Sequence, residues 1–307
     1  MRVVHDLLTD SLNTPTVLVE RTDLVTIPMS FDPGTGLLDV DGRRVRPVVV
    51  WTRHASACAM MAQARPGDGT RPLDAVSWSR FLTQVAAAAT GALPGRTPVG
   101  AGQLVDAGQL GVAVPRTVVT TDVDAGVRYL AVPQAVVKTQ DFRLFEPDRR
   151  NWSTYLPEIV DRDAAPSDRP ASGRPVVVQE YVPHDRELRV YYLNGGICAF
   201  EIRKPEPSSL WTDPDSVTVT PVDCPAVAVE AVRTLCTAWG LRFGAFDLLA
   251  RYTGEVVFLE ANPDGDWLWF ERRARWNGVS FMAAVMVREL FVRGTSLGAH
   301  VNDCDAA

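Results

Sequence analysis

Phe243-Gly244-Ala245-Phe246-Asp247-Leu248-Leu249-Ala250-Arg251-Tyr252-Thr253-Gly254-Glu255-Val256-Val257-Phe258-Leu259-Glu260-Ala261-Asn262-Pro263-Asp264-Gly265-Asp266-Trp267 holds two apolar runs around a turn, and three oxygen-bearing side chains interrupt them. Residues 246–250 and 256–259 have strand composition, and Thr253-Gly254 has turn composition. With those two residues as a two-residue hairpin loop, Tyr252 faces Glu255 and the pairing runs on without a shift. Asp247 then lies opposite Glu260, on one face, with Cβ atoms about 5 Å apart. Asn262 shares that face while its strand stays extended.

Two facing carboxylates repel one another, and a cation between them removes the conflict. A hard divalent ion suits oxygen donors. Magnesium in particular takes few protein ligands and leaves its other positions to water and phosphate oxygens. Asp247, Glu260 and Asn262 are therefore the expected Mg2+ ligands. The plain alternative is a solvated hairpin face with incidental acids, which leaves unexplained why they break apolar runs.

An Asp on one strand and Glu-x-Asn on the next resembles the magnesium site of the ATP-grasp ligases. The longer string Leu259-Glu260-Ala261-Asn262-Pro263-Asp264-Gly265-Asp266-Trp267-Leu268-Trp269-Phe270-Glu271 is more specific. It resembles the microviridin-type, or graspetide, maturases of ribosomal peptides within that superfamily. The likeness covers residues 95–295 well and the first 95 loosely. It implies an α+β protein with the ATP-grasp fold, two α+β subdomains gripping ATP, preceded by a smaller pre-ATP-grasp α/β domain. The implied units are residues 1–95, the N-terminal domain; 96–182, the central subdomain; and 183–307, the C-terminal subdomain with the Mg2+ and ATP site.

The nucleotide residues follow from the same resemblance. Lys138 ends the apolar run Ala135-Val136-Val137-Lys138; a lone lysine there is ordinarily solvated, whereas the resemblance puts it on the nucleotide phosphates. Gln179-Glu180-Tyr181-Val182 resembles the adenine hinge, so main-chain groups of Glu180, Tyr181 and Val182 would read the base edge. Glu187 or Asp185 would take the ribose hydroxyls. Arg189 alternates with apolar neighbours on the face of Glu187 and Tyr191, and Arg203 and Lys204 end the partner strand. Pattern alone leaves cross-strand salt bridging equally open. The resemblance implies that Arg189 and Arg203 hold phosphoryl oxygens, a task suited to the paired donors of a guanidinium.

The chain departs from the family pattern at three places. Asp266 stands where a Gln usually precedes the Trp. The string Val99-Gly100-Ala101-Gly102-Gln103 lacks the usual lysine. Residues 139–146 contain no Gly where a Gly-rich phosphate-covering loop is common, and Arg143 is a candidate substitute.

The implied reaction begins with attack of a substrate carboxylate on the γ-phosphoryl group of ATP. An amine or hydroxyl then displaces phosphate from the acyl-phosphate and leaves an amide or ester. The expected partner is a precursor peptide. A ligase joining free amino acids, and a non-catalytic protein that binds nucleotide or peptide, are the rival readings. No Ser-His-Asp or Cys-His constellation is present, and His5, His54, His184 and His300 are dispersed and carry no expected catalytic role. Trp267, Trp269 and Trp276 are candidates for a substrate pocket or for the core.

Composition bounds the rest. The chain has 307 residues, enough for two or three compact units. Its net charge of −6 argues against nucleic acid as a partner. Five scattered cysteines (Cys58, Cys198, Cys224, Cys236, Cys304) form no CxxC pair, so neither zinc nor a disulfide framework is expected. No secretory signal is evident at the N-terminus, and the expected location is cytoplasmic. Residues 281–292 are too short to span a bilayer, contain Arg288 and Glu289, and have the pattern of an amphipathic helix. That helix suits either the core or a homodimer interface.

Along the chain, strands are expected at residues 16–20, 24–27, 37–40 and 48–51, with Asp41-Gly42 as a hairpin turn between the last two. Helices are expected at 73–93, 102–111 and 224–239, the last closed by Gly240. A strand is expected at 112–119, and a second hairpin joins 187–193 to 197–202. Residues 141–168 have the composition of a mobile loop with one helical segment.

Overall fold

Hydrogen bonding divides the described residues of the computed structural model, 1–20, 23–62, 72–139, 157–163 and 175–304, among four sheets. Helices α1 (Arg2–Asp6) and α2 (Asp23–Thr26) lead into an antiparallel sheet of β1 (Met29–Asp32), β2 (Leu37–Val40) and β3 (Arg43–Val45). Strand β4 (Val49–Trp51) pairs in parallel with β5 (Gly91–Leu93), and α3 (Ala57–Ala62) and α4 (Pro72–Ala88) lie between them in sequence. Next come α5 (Gly102–Gln109), β6 (Thr117–Thr120), α6 (Val123–Leu130), β7 (Gln134–Thr139), β8 (Glu158–Asp161) and β9 (Val176–Glu180). Their strands form a sheet in the order β6-β9-β7-β8.

The largest sheet has the order β12-β11-β10-β13-β14. It is built from β10 (Arg186–Leu193), β11 (Gly196–Arg203), β12 (Thr218–Val222), β13 (Phe243–Ala250) and β14 (Val256–Asn262). The short α7 (Ser209–Thr212) precedes β12, and α8 (Ala226–Trp239) joins it to β13. Helices α9 (Leu268–Ala274) and α10 (Gly278–Cys304) follow. Mixed helices and mainly antiparallel sheets make this an α+β protein, as expected.

Side-chain alternation along β10 explains the layering. Leu188 and Val190, with Phe246 and Leu248 of β13, face a core completed by Ala228, Val232 and Leu235 of α8. Tyr191 and Leu193 face the other way, with Phe243 and Ala245, onto Val279, Ala283 and Met286 of α10. Glu187, Arg189, Asp247, Glu260 and Asn262 share this second face by register. The smaller sheet packs Ala135 and Val178 against Val127 and Leu130 of α6, which leaves Lys138 on its opposite face. Val182, Leu249 and Val257 pack together where the two sheets adjoin.

The structure revises several sequence expectations. The hairpin turn is not Thr253-Gly254 alone: Arg251 N–H donates to Glu255 O at 2.9 Å, and the connection spans 251–255. Leu248 pairs with Phe258 but Asp247 pairs with Glu260, so Leu259 bulges. The longer loop shifts the register one way and the bulge restores it, so the expected Asp247–Glu260 pair is correct although the expected turn was not. Residues 24–27 lie in and beside helix α2 and not in a strand. Asp41-Gly42, with φ of 51° and 78°, does turn a hairpin, but into β3; residues 49–51 pair instead with 91–93. Those last residues were expected to end a helix. Pairing of buried Gly91 and Leu93 with β4 takes them out of it. Residues 158–161 form strand β8 where a loop or helix was expected. Arg143 and most of that loop lie outside the described residues. Helix α6, capped by Asp122 accepting from Ala125 N–H, was not anticipated. The hairpin of β10 and β11 and helix α8, closed by Gly240 at φ 67°, match the expectation closely.

Candidate functional site

Lys138 on β7 and Glu260 on β14 meet across the gap between the two sheets, with Nζ and Oε2 3.8 Å apart. Beside them, Arg189 of β10 pairs directly in register with Asp247 of β13. Its Nη1 donates to both carboxylate oxygens, at 2.8 and 2.7 Å. The guanidinium also lies over the rings of Tyr191 and Phe270, at 5.5 and 5.3 Å. Burial disfavours this cation, but the Asp247 charge more than offsets it, and the Arg189 pKa is raised. Arg189 Nε donates onward to the Tyr191 hydroxyl at 3.3 Å, and that hydroxyl donates to Asp266 O at 2.5 Å. Burial raises the pKa of Tyr191, so it stays a neutral donor.

This connection ties the strands to the turn after β14. Asn262 Oδ1 accepts from Asp264 N–H at 2.9 Å, which orients its amide. From the N-terminal region, Arg53 donates to Asp264 O and Gly265 O at 2.7 and 3.0 Å, and His54 N–H donates to Asp264 Oδ1 at 2.9 Å. The Arg53 guanidinium stacks over Trp267 at 4.4 Å, and burial lowers its pKa. Trp267 itself is core: its Nε1 donates to Ser280 Oγ at 2.8 Å, and Ser280 donates from Oγ and N to the buried Glu271 carboxylate at 2.6 and 2.8 Å. Trp276, by contrast, is exposed.

Asp247, Glu260 and Asn262 thus stand on one face as expected, and the donor set fits magnesium. All three offer hard oxygens, and the Asp247 and Glu260 side chains are 33% and 42% exposed. The electrostatics differ from the sequence argument in one respect. The two acids do not stand bare; Arg189 and Lys138 already neutralise them, one each. A bare dication would raise the net charge of this cluster, whereas a dication arriving with a polyanion would not.

Glu187, two residues before Arg189 on β10, sits between Lys204 and His184. Lys204 Nζ is 2.9 Å from Oε2, and His184 Nε2 is 3.6 Å from Oε1. Burial pushes the Glu187 carboxyl up, but His184 and Lys204 outweigh it and hold it below its ordinary range. Both nitrogens of His184 face acceptors, since Nδ1 lies 2.7 Å from Val182 O. Only the imidazolium can donate at both, and its bond to Glu187 raises the His184 pKa. A raised folded pKa contributes stability fully below the unfolded value near ~6.5 and loses it as pH rises through the folded value. His184→Asn is therefore expected to lower the melting temperature more at pH 6 than at pH 9, by about 2–4 °C. Equal losses at both pH values would show that the pair does not form. Asp185, the other ribose candidate, lies beside Arg186 at 3.8 Å.

Not every expected residue joins the site. Arg203 follows Ile202, which pairs with Glu187, so strand alternation turns Arg203 to the opposite face. There it is 68% exposed and pairs with Glu201 at 2.6 Å. The neighbouring Lys204, passed over as a mere strand end, is the cation that reaches Glu187. In the hinge segment the N–H groups of Glu180 and Tyr181 already donate to Arg116 O and Gln134 O, at 2.8 and 3.0 Å. His184 and Tyr191 were also passed over: a dispersed histidine and a tyrosine in a strand carry no local signal. Among the described residues no cluster of three or more His, Cys, Asp or Glu suits a metal.

No protein-family model matches the chain, and no curated protein matches it by sequence. Solved structures do match. The ATP-grasp ligase PsnB, in complex with a phosphomimetic variant of its minimal precursor, Mg and ADP, superposes with a TM-score of 0.72 at 18% identity, over 94% of each chain. The RiPP-associated ATP-grasp ligase of Chryseobacterium gregarium, in complex with ADP and a leader and core peptide, gives 0.69 at 18% identity, over 94% of this chain and 92% of its own. The macrocyclase MdnC of Microcystis aeruginosa MRC, bound with precursor peptide MdnA, gives 0.68 at 18% identity, over 93% and 94%. These superpositions show that the chain shares the fold of these ATP-grasp ligases along nearly its whole length.

Proposed function

We propose that this protein is an ATP-dependent ligase that activates a side-chain carboxylate of a ribosomal precursor peptide as an acyl-phosphate and joins it to an amine or hydroxyl of that peptide. The observation that carries the reading is the meeting of Lys138 from one sheet with Glu260 and the Arg189–Asp247 pair from the other. Asp247, Glu260 and Asn262 would hold Mg2+, which when bound neutralises phosphate charge. Lys138 takes phosphate oxygens, Glu180 to Val182 border the base, and Glu187 takes the ribose hydroxyls, exchanging a cationic partner for them. Arg189, buried and permanently charged, offers its remaining donors to the transferred phosphoryl group.

A carboxylate oxygen attacks the γ-phosphorus, the bond to the β-phosphate oxygen breaks, and ADP leaves. The amine or hydroxyl then attacks the acyl carbon, phosphate departs with the C–O bonding pair, and the nucleophile loses its proton. In this reading residues 1–95 form a pre-ATP-grasp unit, 96–182 the central subdomain and 183–307 the subdomain with the magnesium ligands. The peptide substrate is supported by the PsnB, MdnC and Chryseobacterium structures, each of which contains a precursor or its parts. A cytoplasmic setting belongs to the proposal and suits the free thiols of Cys198, Cys224 and Cys236. Among the described residues no helix is long and apolar enough to cross a membrane.

Phosphate release with Mg2+ and ATP, over a panel of acidic precursor peptides and free amino acids, tests the assignment. Release that requires a precursor peptide is the expected result. Release with free amino acids alone would replace it with an amino-acid ligase, and nucleotide binding without release on any substrate would make the protein a binding module.

A further inference from the structure

Strand β14 is an edge of its sheet, so the N–H and C=O groups on its outer side have no further strand to pair with. One side chain stands in for that strand. Gln103 of α5 donates from Nε2 to Ala261 O at 2.8 Å and accepts at Oε1 from Ala261 N–H at 2.8 Å. Nε2 also lies 3.0 Å from Pro98 O, which ties the amide to the segment before α5. Gln103 is only 7% exposed. Its amide thus copies both hydrogen bonds that a neighbouring strand residue would make.

Ala261 sits between Glu260 and Asn262, and its own side chain points into the opposite core. Strand geometry couples the three, because the peptide planes on either side of Ala261 set the directions of both neighbouring Cβ atoms. The need for an anchor is local. Leu259, two residues earlier, is the bulge that brings Glu260 opposite Asp247, and a bulged strand is free to slip unless something holds it. Phe258 N–H, on the near side of the bulge, is held by Ala113 O at 2.8 Å. Gln103 supplies the corresponding hold on the far side.

We infer that Gln103 is a positioning residue, which sets Glu260 and Asn262 for the cation without touching it or the nucleotide. The functional part of this inference rests on the proposed magnesium and ATP site; the strand-anchoring part does not. In Gln103→Glu the new carboxyl reproduces both bonds only while protonated, one oxygen accepting from Ala261 N–H and the O–H donating to Ala261 O. Ionised, it has no donor to offer. Burial favours the protonated form at mildly acidic pH. In Gln103→Met neither bond exists at any pH.

Calorimetric binding of the ATP analogue AMPPNP over a range of Mg2+ concentrations provides the test. Relative to wild type at the same pH, Gln103→Glu should need a similar Mg2+ concentration at pH 5.5 and about tenfold more at pH 8. Gln103→Met should need about tenfold more at both. Hydrogen exchange of the segment around Ala261 should accelerate in parallel. A purely structural role would lower the melting temperature without this pH-dependent change in Mg2+ requirement, and that result would overturn the inference. Should Gln103→Met fail to fold, Gln103→Glu compared at the two pH values still decides. If the wild type binds no Mg2+ with AMPPNP, the proposed function fails; unchanged exchange around Ala261 in the variants would overturn the anchoring role by itself.

Discussion

Glu260→Ala should abolish peptide-dependent phosphate release. Glu260 is the residue on which two independent arguments converge: it opposes Asp247 across β13 and β14, and it meets Lys138 from the other sheet. Its removal takes one of two carboxylates from the proposed magnesium set and leaves Lys138 without this counter-charge. Loss of a residue that merely supports a metal ligand costs about 10–100-fold, so loss of a direct ligand should exceed about 100-fold in turnover at fixed Mg2+. The fold should survive, because the side chain is 42% exposed and surface ion pairs contribute little to stability. Glu201→Ala, on the opposite face of the sheet and on its interior strand β11, is the control and should retain most activity. Wild-type phosphate release from a folded Glu260→Ala protein would sink the magnesium assignment.

Gly265→Ala should be nearly as damaging, for a steric reason. A Cβ at this position would lie 2.3 Å from Ala245 Cβ, 2.9 Å from Arg189 Nη2 and 3.2 Å from Asn262 O. All three atoms belong to the site or its floor, and none is the free end of a mobile surface chain. The turn must therefore lift away or Arg189 must move off Asp247. Overpacking of this kind costs about 1–3 kcal/mol, and misplacement of catalytic groups by about 1 Å costs about 100-fold in rate. Thermal melting and phosphate release on the same preparation measure both effects. Adding Ala245→Gly removes the closest contact and should recover part of the stability, with less recovery of activity because the Arg189 contact remains. A Gly265→Ala protein with wild-type melting and wild-type turnover would mean that the turn is not packed as described.

These expectations draw unequally on local and long-range information. The pairing of Asp247 with Glu260 was legible in the chain because strand alternation and hairpin pairing are local rules. The route was not: the loop is longer than its Thr-Gly suggests, and Leu259 bulges to compensate. Bulges carry no strong composition signal. Arg203 illustrates the opposite case. Its residue type suits phosphoryl binding, but a shift of one position along a strand reverses the face, and Lys204 takes the place at Glu187. The string 99–103 was notable for lacking a lysine, yet Gln103 at its end holds the backbone of Ala261, which is 158 positions away.

The amino-acid sequence by itself determined a mixture of strands and helices, the acid-bearing hairpin, the strings that carry the family resemblance and the absence of a local nucleophile constellation. Each depends on residue type and on spacing within one or two turns of chain. Only the tertiary structure decided that Arg189 and Lys138 already neutralise the acids, that Arg53 and Tyr191 hold the turn after β14, and that Gln103 stands in for a missing strand. Those contacts join segments far apart in the chain. Their geometry is fixed by how sheets and helices pack, which residue order along any one segment does not encode.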